Sequence, residues 1–138
     1  MTWFIWALLS AFFAGLTAVL AKVGVKDVNS NTATAIRTVV ILVFSWSIVL
    51  FSKSQPLSTI GKRTWIFLIL SGLATGLSWL CYFRALQLGE ASRVAPVDKL
   101  SVIVAIALAA IFLREPLTWP HWVGGLFIFA GAVVLAYA

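Results

Sequence analysis

Three charged side chains of this sequence lie within long apolar runs, Arg37, Asp98 and Lys99, and they could do chemistry there. A charge that faces hydrocarbon is costly, so each must reach an interface, pair with another charge or serve a solute. For Arg37, snorkelling to the nearby interface and a pairing or substrate role both stay open. Asp98 is the one acid predicted inside a membrane helix. It is either neutralised by Arg37 or Arg93, or it accepts a proton.

A second candidate site is a polar and aromatic stripe on the third predicted helix. Ser71, Thr75, Ser78 and Tyr82 follow one another at steps of four, three and four residues, which places them on one helical face with Trp79 beside them. Two interpretations stay open. The hydroxyls bond to helix backbones or to one another, or the stripe lines a solute pathway with Trp79 and Tyr82 as an aromatic wall.

Other kinds of chemistry find little support in the residue types. The chain has one His and one Cys, His121 and Cys81, and its acids are scattered, so we predict no catalytic residue, no metal site and no cofactor. The expected protein is therefore not an enzyme. The net charge of +6 is spread over successive turns and helix ends, so a nucleic-acid partner is not expected.

The composition identifies the solvent of these residues. Of 138 residues, 62% are hydrophobic and 10% are charged, and the mean hydropathy is +1.07. The charges separate apolar runs of about 20 residues, the length that crosses a ~30 Å hydrocarbon core. We predict an all-α membrane protein in a lipid bilayer, one domain over residues 1–138, with helices at about residues 2–21, 32–51, 64–86, 94–113 and 119–138. The polar linker from Ser52 to Arg63 is the predicted hinge between helix pairs.

Small residues and a proline mark the expected helix contacts. Pro96 is predicted in the first turn of the fourth helix, where its missing N–H costs nothing. Glycines thin one side of a helix and let a neighbour approach. The predicted packing positions are Gly72, Gly76, Gly124, Gly125 and Gly131.

The chain resembles the EamA domain of the drug/metabolite transporter superfamily, as a single five-helix unit. The resemblance is carried by ALQLGEASRVAP, by FLREPLT and by the closing helix WVGGLFIFAGAVVLAY. The first helix ending in AKVGV and the pair Ile36-Arg37 are also similar to the family. Many EamA sequences have a proline after a Leu-Ser or Leu-Thr pair in the fourth helix, whereas here Leu100-Ser101 is followed by Val102. Typical family transporters also resemble two such units fused.

The resemblance implies a multi-pass transporter in the cell (cytoplasmic or inner) membrane that exports or exchanges a small metabolite. An alternative of another class is a non-transporting subunit that pairs with another small membrane protein.

Five helices place the two ends of a unit on opposite sides of the membrane, so a second unit in the same chain would be inverted. A single unit therefore predicts an antiparallel homodimer that works by alternating access. The basic residues near the membrane edges are balanced, which favours dual topology, both orientations of one sequence. On the side of the N-terminus lie Lys53, Lys62, Arg63 and Arg114, and on the other side Lys22, Lys26, Arg84 and Arg93. Arg37 and Lys99 lie just inside the helices, so the remaining bias, four against four to six, is weak.

Overall fold

The computed structural model describes residues 2–52 and 56–138, and these residues form helices joined by turns. Five helical segments in this part of the chain are long and apolar enough to cross a membrane, which confirms the predicted fold class. The α-helices are α1 Thr2–Gly24, α2 Ser30–Phe51, α3 Lys62–Leu88, α4 Ala91–Asp98, α5 Ser101–Leu108 and α6 Trp119–Tyr137. The fourth membrane segment, Ala91–Leu113, consists of α4, α5 and a π-helical turn at Ala109–Leu113.

The polar turn before α2 sets where that helix begins. Asn29 is its N-cap: the side-chain Oδ1 accepts from the N–H of Asn31 at 2.9 Å, and the Asn29 carbonyl accepts from Ala33 at 2.9 Å. Asparagine is among the residues that cap helix N-termini best, because its side-chain oxygen accepts from a free backbone N–H. The helix begins at Ser30, two residues earlier than the predicted residue 32, because the cap lies at Asn29.

The fourth membrane segment is interrupted, whereas the sequence predicted one helix over residues 94–113. The N–H groups of Lys99 and Leu100 donate to the carbonyls of Pro96 and Val97, three residues back, so the chain tightens into a 3₁₀-type turn between α4 and α5. Pro96 lies inside α4, not in its first turn, because the helix begins at Ala91. A proline there removes one helical hydrogen bond and its ring opposes the preceding turn, which weakens the helix at this position.

The same segment ends in an unusual turn. Arg114 has a φ of 55°, the left-handed conformation that closes many helices. The N–H of Glu115 donates to the carbonyl of Ala109 at 3.3 Å, which closes the π-helical turn. The turn Arg114 to Thr118 thus reverses the chain without a glycine.

The chain divides into two compact units. One comprises the chain through Val23 together with Leu88–Ala138, and the other is Gly24–Gln87. In the first unit, Lys22 Nζ donates to the Gly89 carbonyl at 2.8 Å, which ties the end of α1 to the start of the fourth segment.

The buried residues of the Gly24–Gln87 unit lie at one end, in the turn before α2, the first turns of α2 and the last turns of α3. They are Val25, Ser30, Thr34, Phe83 and Leu86. Most other large apolar side chains are exposed, as expected where lipid is the solvent.

Part of the predicted hinge from Ser52 to Arg63 forms a short helical turn. Leu57–Thr59 forms one turn of 3₁₀-helix and α3 begins at Lys62. Residues 53–55 of this linker, including Lys53 of the charge count, lie outside the described residues.

Candidate functional site

The strongest candidate site surrounds Arg37 in the Gly24–Gln87 unit. Its guanidinium carbon Cζ lies over the Trp79 ring, 4.5 Å from the ring centroid, and 5.3 Å from the centroid of Phe83. Trp79 is half-buried and Phe83 is buried, with 3% of its surface exposed. A cation over an aromatic face is attracted by the negative face of the ring. The contact joins α2 to α3.

The position of this contact bears on the two interpretations of Arg37. Arg37 follows Ser30, the first residue of α2, by seven residues, or about 10 Å at 1.5 Å per residue. Trp79 and Phe83 precede Leu88, the last residue of α3, by nine and five residues, or about 13 and 8 Å. The side chain therefore reaches sideways to α3 at its own depth, which is not the geometry of a side chain that snorkels to the helix end.

The two helix ends are held together by Gln87. Its Nε2 donates to the carbonyls of Val25, at 3.1 Å, and Val28, at 2.6 Å. Its Oε1 accepts from Arg84 at 3.1 Å, so the amide uses its donors and its acceptor. The start of α2 and the end of α3 therefore lie on the same side, with Trp79 and Phe83 at the level of Arg37.

No carboxylate of this unit neutralises Arg37. The one acid in residues 24–87 is Asp27, which lies in the turn before α2, and among the described residues of the unit Arg37 has no ion pair. A cation–π contact is worth about 0.5 to 2 kcal/mol. A charge in the middle of a membrane helix costs about 3 kcal/mol on insertion scales. The rings therefore offset only part of the cost of the charge.

Asp98 and Lys99 are arranged differently, in the unit that contains α4. Lys99 Nζ lies 3.2 Å from Asp98 Oδ2, and Arg93 Nε lies 3.4 Å from Glu90 Oε2. Within its own unit Asp98 is thus paired with the next residue, while Arg93 is paired with Glu90. Neutralisation of Asp98 by Arg37 stays a prediction. The flexible lysine stem lets Nζ return to its neighbour although the two residues point about 100° apart on a regular helix.

The predicted stripe on α3 is partly accounted for by backbone bonding. Thr75 Oγ1 donates to the Ser71 carbonyl at 2.9 Å. For this hydroxyl the structure therefore agrees with the interpretation that the stripe bonds to the helix backbone. Ser71, Thr75 and Ser78 are exposed, and Tyr82 is half-buried beside Phe83. The structure brings only Trp79 of the stripe onto Arg37. A pathway along the stripe stays a prediction.

The predicted packing glycines have open space beside them. A Cβ added at any of them would meet no atom of its own unit within 4 Å, beyond the immediate helix. Their role in close helix packing stays a prediction. The positions are Gly72, Gly76, Gly124, Gly125 and Gly131.

Three residues of the described structure carry roles that sequence reasoning missed. Phe83 follows Trp79 by four residues, so helical periodicity could have placed both rings beside one partner. For Gln87 the sequence offered only a weak indication, one amide side chain near the end of an apolar helix. His121 closes a capping box: its Nδ1 accepts from the Thr118 N–H at 3.1 Å, and the spacing from Thr118 was a readable signal.

A cavity of about 280 Å³ lies between α5 and α6 in the unit that contains them. Its lining is apolar except for His121, whose Nδ1 is used in the helix cap. It therefore offers a solute no charge, in contrast to the surroundings of Arg37. The main lining residues are Ile103, Ile106, Leu117, Trp122 and Phe129.

Comparison with known proteins agrees with this architecture. The EamA-like transporter family matches residues 1–137. An uncharacterized transporter of a Sinorhizobium species is 57% identical over 136 residues, which cover 98% of this chain and 96% of the relative. An uncharacterized protein of Methanocaldococcus jannaschii is 27% identical over 94% of this chain and 92% of its own length.

A longer relative also matches this chain. An uncharacterized transporter of Bacillus subtilis is 27% identical over 92% of this chain, and the match covers 40% of that transporter. No solved structure matches the chain. The match along nearly the whole sequence, together with the five membrane-spanning segments, shows that this chain belongs to the EamA-like transporter family of multi-pass membrane proteins.

Proposed function

We propose that this protein exports or exchanges a small metabolite across the cytoplasmic membrane, as a homodimer that works by alternating access. Family membership supports transport, and the Arg37 site is the observation that carries the proposal. A guanidinium at membrane depth, held by Trp79 and Phe83 without a carboxylate of its own unit, gives α2 and α3 a polar surface. In a membrane helix such a charge indicates a solute or ion pathway more often than a structural role.

The proposed second copy follows from the number of helices. A unit with five membrane segments has its ends on opposite sides, so only an inverted copy gives the pseudo-twofold arrangement on which alternating access is commonly built. The Bacillus subtilis relative, of which the match covers 40%, has room for a second unit in one chain. The balanced basic residues favour dual topology, since neither side has the excess that fixes orientation.

The proposed pathway follows α3 from Arg37 along the stripe. Trp79 and Tyr82 would form an aromatic wall and the hydroxyl groups would contact the solute. The glycines of α3 and α6, which have open space in their own unit, would receive the second copy. The residues of the proposed pathway are Ser71, Thr75, Ser78, Trp79 and Tyr82.

Transport is tested by counterflow in proteoliposomes. The purified protein is reconstituted and the exchange of labelled amino acids, organic acids and nucleosides is measured against empty liposomes. We expect at least one solute to exchange, and we expect Trp79→Ala to slow that exchange about tenfold or more, since wall residues position the solute. Ser47→Ala is the matched control, because Ser47 Oγ only donates to Val43 of its own helix.

The dimer is tested in the same sample. Cys81 is the single cysteine and is exposed, so a spin label there reports the distance between two copies without engineered cysteines. One narrow distance distribution supports a homodimer, and fusion reporters at Ala138 on both sides of the membrane support dual topology. A dimer that exchanges no solute would contradict transport and favour the non-transporting subunit.

A further inference from the structure

We propose that Arg37 binds the oxyanion group of the transported solute, so that the substrates are small organic anions recognised through a carboxylate. The inference rests on the proposed transport function and names its substrate class. It is carried by a half-buried guanidinium that lies over two aromatic rings of α3 and whose N–H groups donate to no described residue of its own unit.

The donors of Arg37 are available for a ligand. A guanidinium has five N–H donors in a planar fork. The rings of Trp79 and Phe83 stabilise its charge but offer no carbonyl or carboxylate, and among the described residues no hydrogen bond uses an Arg37 N–H. The neighbouring hydroxyls do not help, since Thr34 and Thr38 of α2 donate to the carbonyls of Ser30 and Thr34. A carboxylate fits such a fork with two parallel hydrogen bonds.

The charge balance of the unit favours an anion. Residues 24–87 contain one acid, Asp27, and it lies in the turn outside α2, whereas Arg37 lies seven residues inside that helix. No acid within α2 or α3 supplies the negative charge that the guanidinium lacks, and in this proposal the solute supplies it. A bound carboxylate would supply the charge and the acceptors together, and the rings of Trp79 and Tyr82 would contact its apolar part.

Two sources could supply the oxyanion, a solute or the phosphate of a lipid headgroup. Arg37 lies about 10 Å along α2 from its first residue, and its side chain reaches Trp79 rather than the helix end. Because the guanidinium lies over Trp79, nine residues before the end of α3, and not beside a helix end, the solute is favoured. A lipid phosphate would instead compete with the solute.

The proposal is tested by binding to the full chain in nanodiscs of phosphatidylcholine. Thermal unfolding is followed by tryptophan fluorescence with benzoate, acetate or inorganic phosphate, and with benzamide as the neutral match of benzoate. A ligand that binds the folded state raises its melting temperature. We expect benzoate to raise it and benzamide not to do so.

Arg37→Gln should weaken benzoate binding about tenfold or more, because a charge-assisted bidentate contact is lost. Arg63→Gln is the matched control: it removes the same charge from an arginine that also lies over a ring, Phe67, at 5.8 Å, but at the second residue of α3. It should bind benzoate as the wild type does. If Arg37→Gln does not fold, Arg37→Lys keeps the charge, loses the fork and should still bind several-fold more weakly.

Each outcome decides the proposal. Equal binding of benzoate and benzamide, unchanged binding in Arg37→Gln or Arg37→Lys, or no response to any of the three anions overturns it. Benzoate binding several-fold tighter in micelles of a maltoside detergent, which has no phosphate, than in the phosphatidylcholine nanodiscs would assign the site to a lipid phosphate and overturn the solute assignment. Carboxylate binding without counterflow contradicts transport but leaves the anion site in place, whereas counterflow that Arg37→Gln leaves unchanged contradicts the anion site alone.

Discussion

The charged residues at the ends of α4 and Arg37 of α2 have different kinds of contact partner. At the two ends of α4 each acid is paired with a base one or three residues away, Asp98 with the C-cap Lys99 and the N-cap Glu90 with Arg93. In α2, Arg37 has no acid of its own unit and contacts Trp79 and Phe83 of α3 instead. The first arrangement is complete within one helix. The second depends on another helix and leaves hydrogen-bond donors open.

The difference separates a structural charge pair from a candidate binding site. A local pair cancels its own charge, so a solute gains little by replacing one member. A cation held by aromatic rings keeps its charge and its donors, so an anion gains both. This difference supports the proposal that Arg37 binds the solute and that Asp98 and Lys99 stabilise the fourth segment.

The largest effect is expected when the α4 pair is broken. Lys99→Met leaves Asp98 unpaired in a membrane segment and should lower the free energy of unfolding by about 2 kcal/mol. The double change with Asp98→Asn should recover most of that loss, because no charge is left to compensate. Unfolding in mixed detergent micelles measures both. A double variant no more stable than the single one would show that the pair is not self-contained.

The contact between α2 and α3 depends on the Gln87 amide, and its loss should have the next largest effect. Gln87→Leu removes the hydrogen bonds to the Val25 and Val28 carbonyls, and Val25 is buried. A loss of about 1.5 kcal/mol in the free energy of unfolding is expected. Ser47→Ala, which removes a bond within one helix, should cost under about 0.5 kcal/mol. Equal losses would contradict the role of Gln87.

The smallest effect is expected for the contact between the Arg37 guanidinium and the Trp79 ring. A double-mutant cycle of Arg37→Gln and Trp79→Leu should give a coupling energy of about 1 kcal/mol in unfolding experiments. The matched cycle of Arg63→Gln and Phe67→Leu should give about 0.5 kcal/mol or less, because that pair is exposed and its distance is 5.8 Å. Two equal coupling energies would remove the distinction between an embedded and a superficial contact.

Much of the fold could be predicted because it depends on local properties. Apolar length places the five membrane segments, and the asparagine-rich turn indicates the cap of α2. The interruption between α4 and α5 was not predicted, and neither was the position of Pro96 inside α4, which depends on where the helix begins. The prediction placed that start at residue 94 and the structure places it at Ala91.

The residues of the candidate site were also predictable only in part. Arg37, Trp79 and Tyr82 were identified as residues of interest, but Phe83 was not, and the contact of Asp98 with its neighbour Lys99 was not predicted. Arginine and lysine side chains reach several ångströms, so many partners are compatible with one sequence. Periodicity identifies the face of a helix that a residue shares, not the neighbour that this face meets.

By itself the sequence determined that the protein lies in a membrane, how many segments cross it and to which family it belongs. The reason is that hydropathy, segment length and the motifs ALQLGEASRVAP and FLREPLT are properties of contiguous residues. Only the tertiary structure decided that Arg37 lies over Trp79 and Phe83. The physical reason is that the rotation and depth of α2 against α3 are set by contacts between distant residues, such as those of Gln87 with Val25 and Val28.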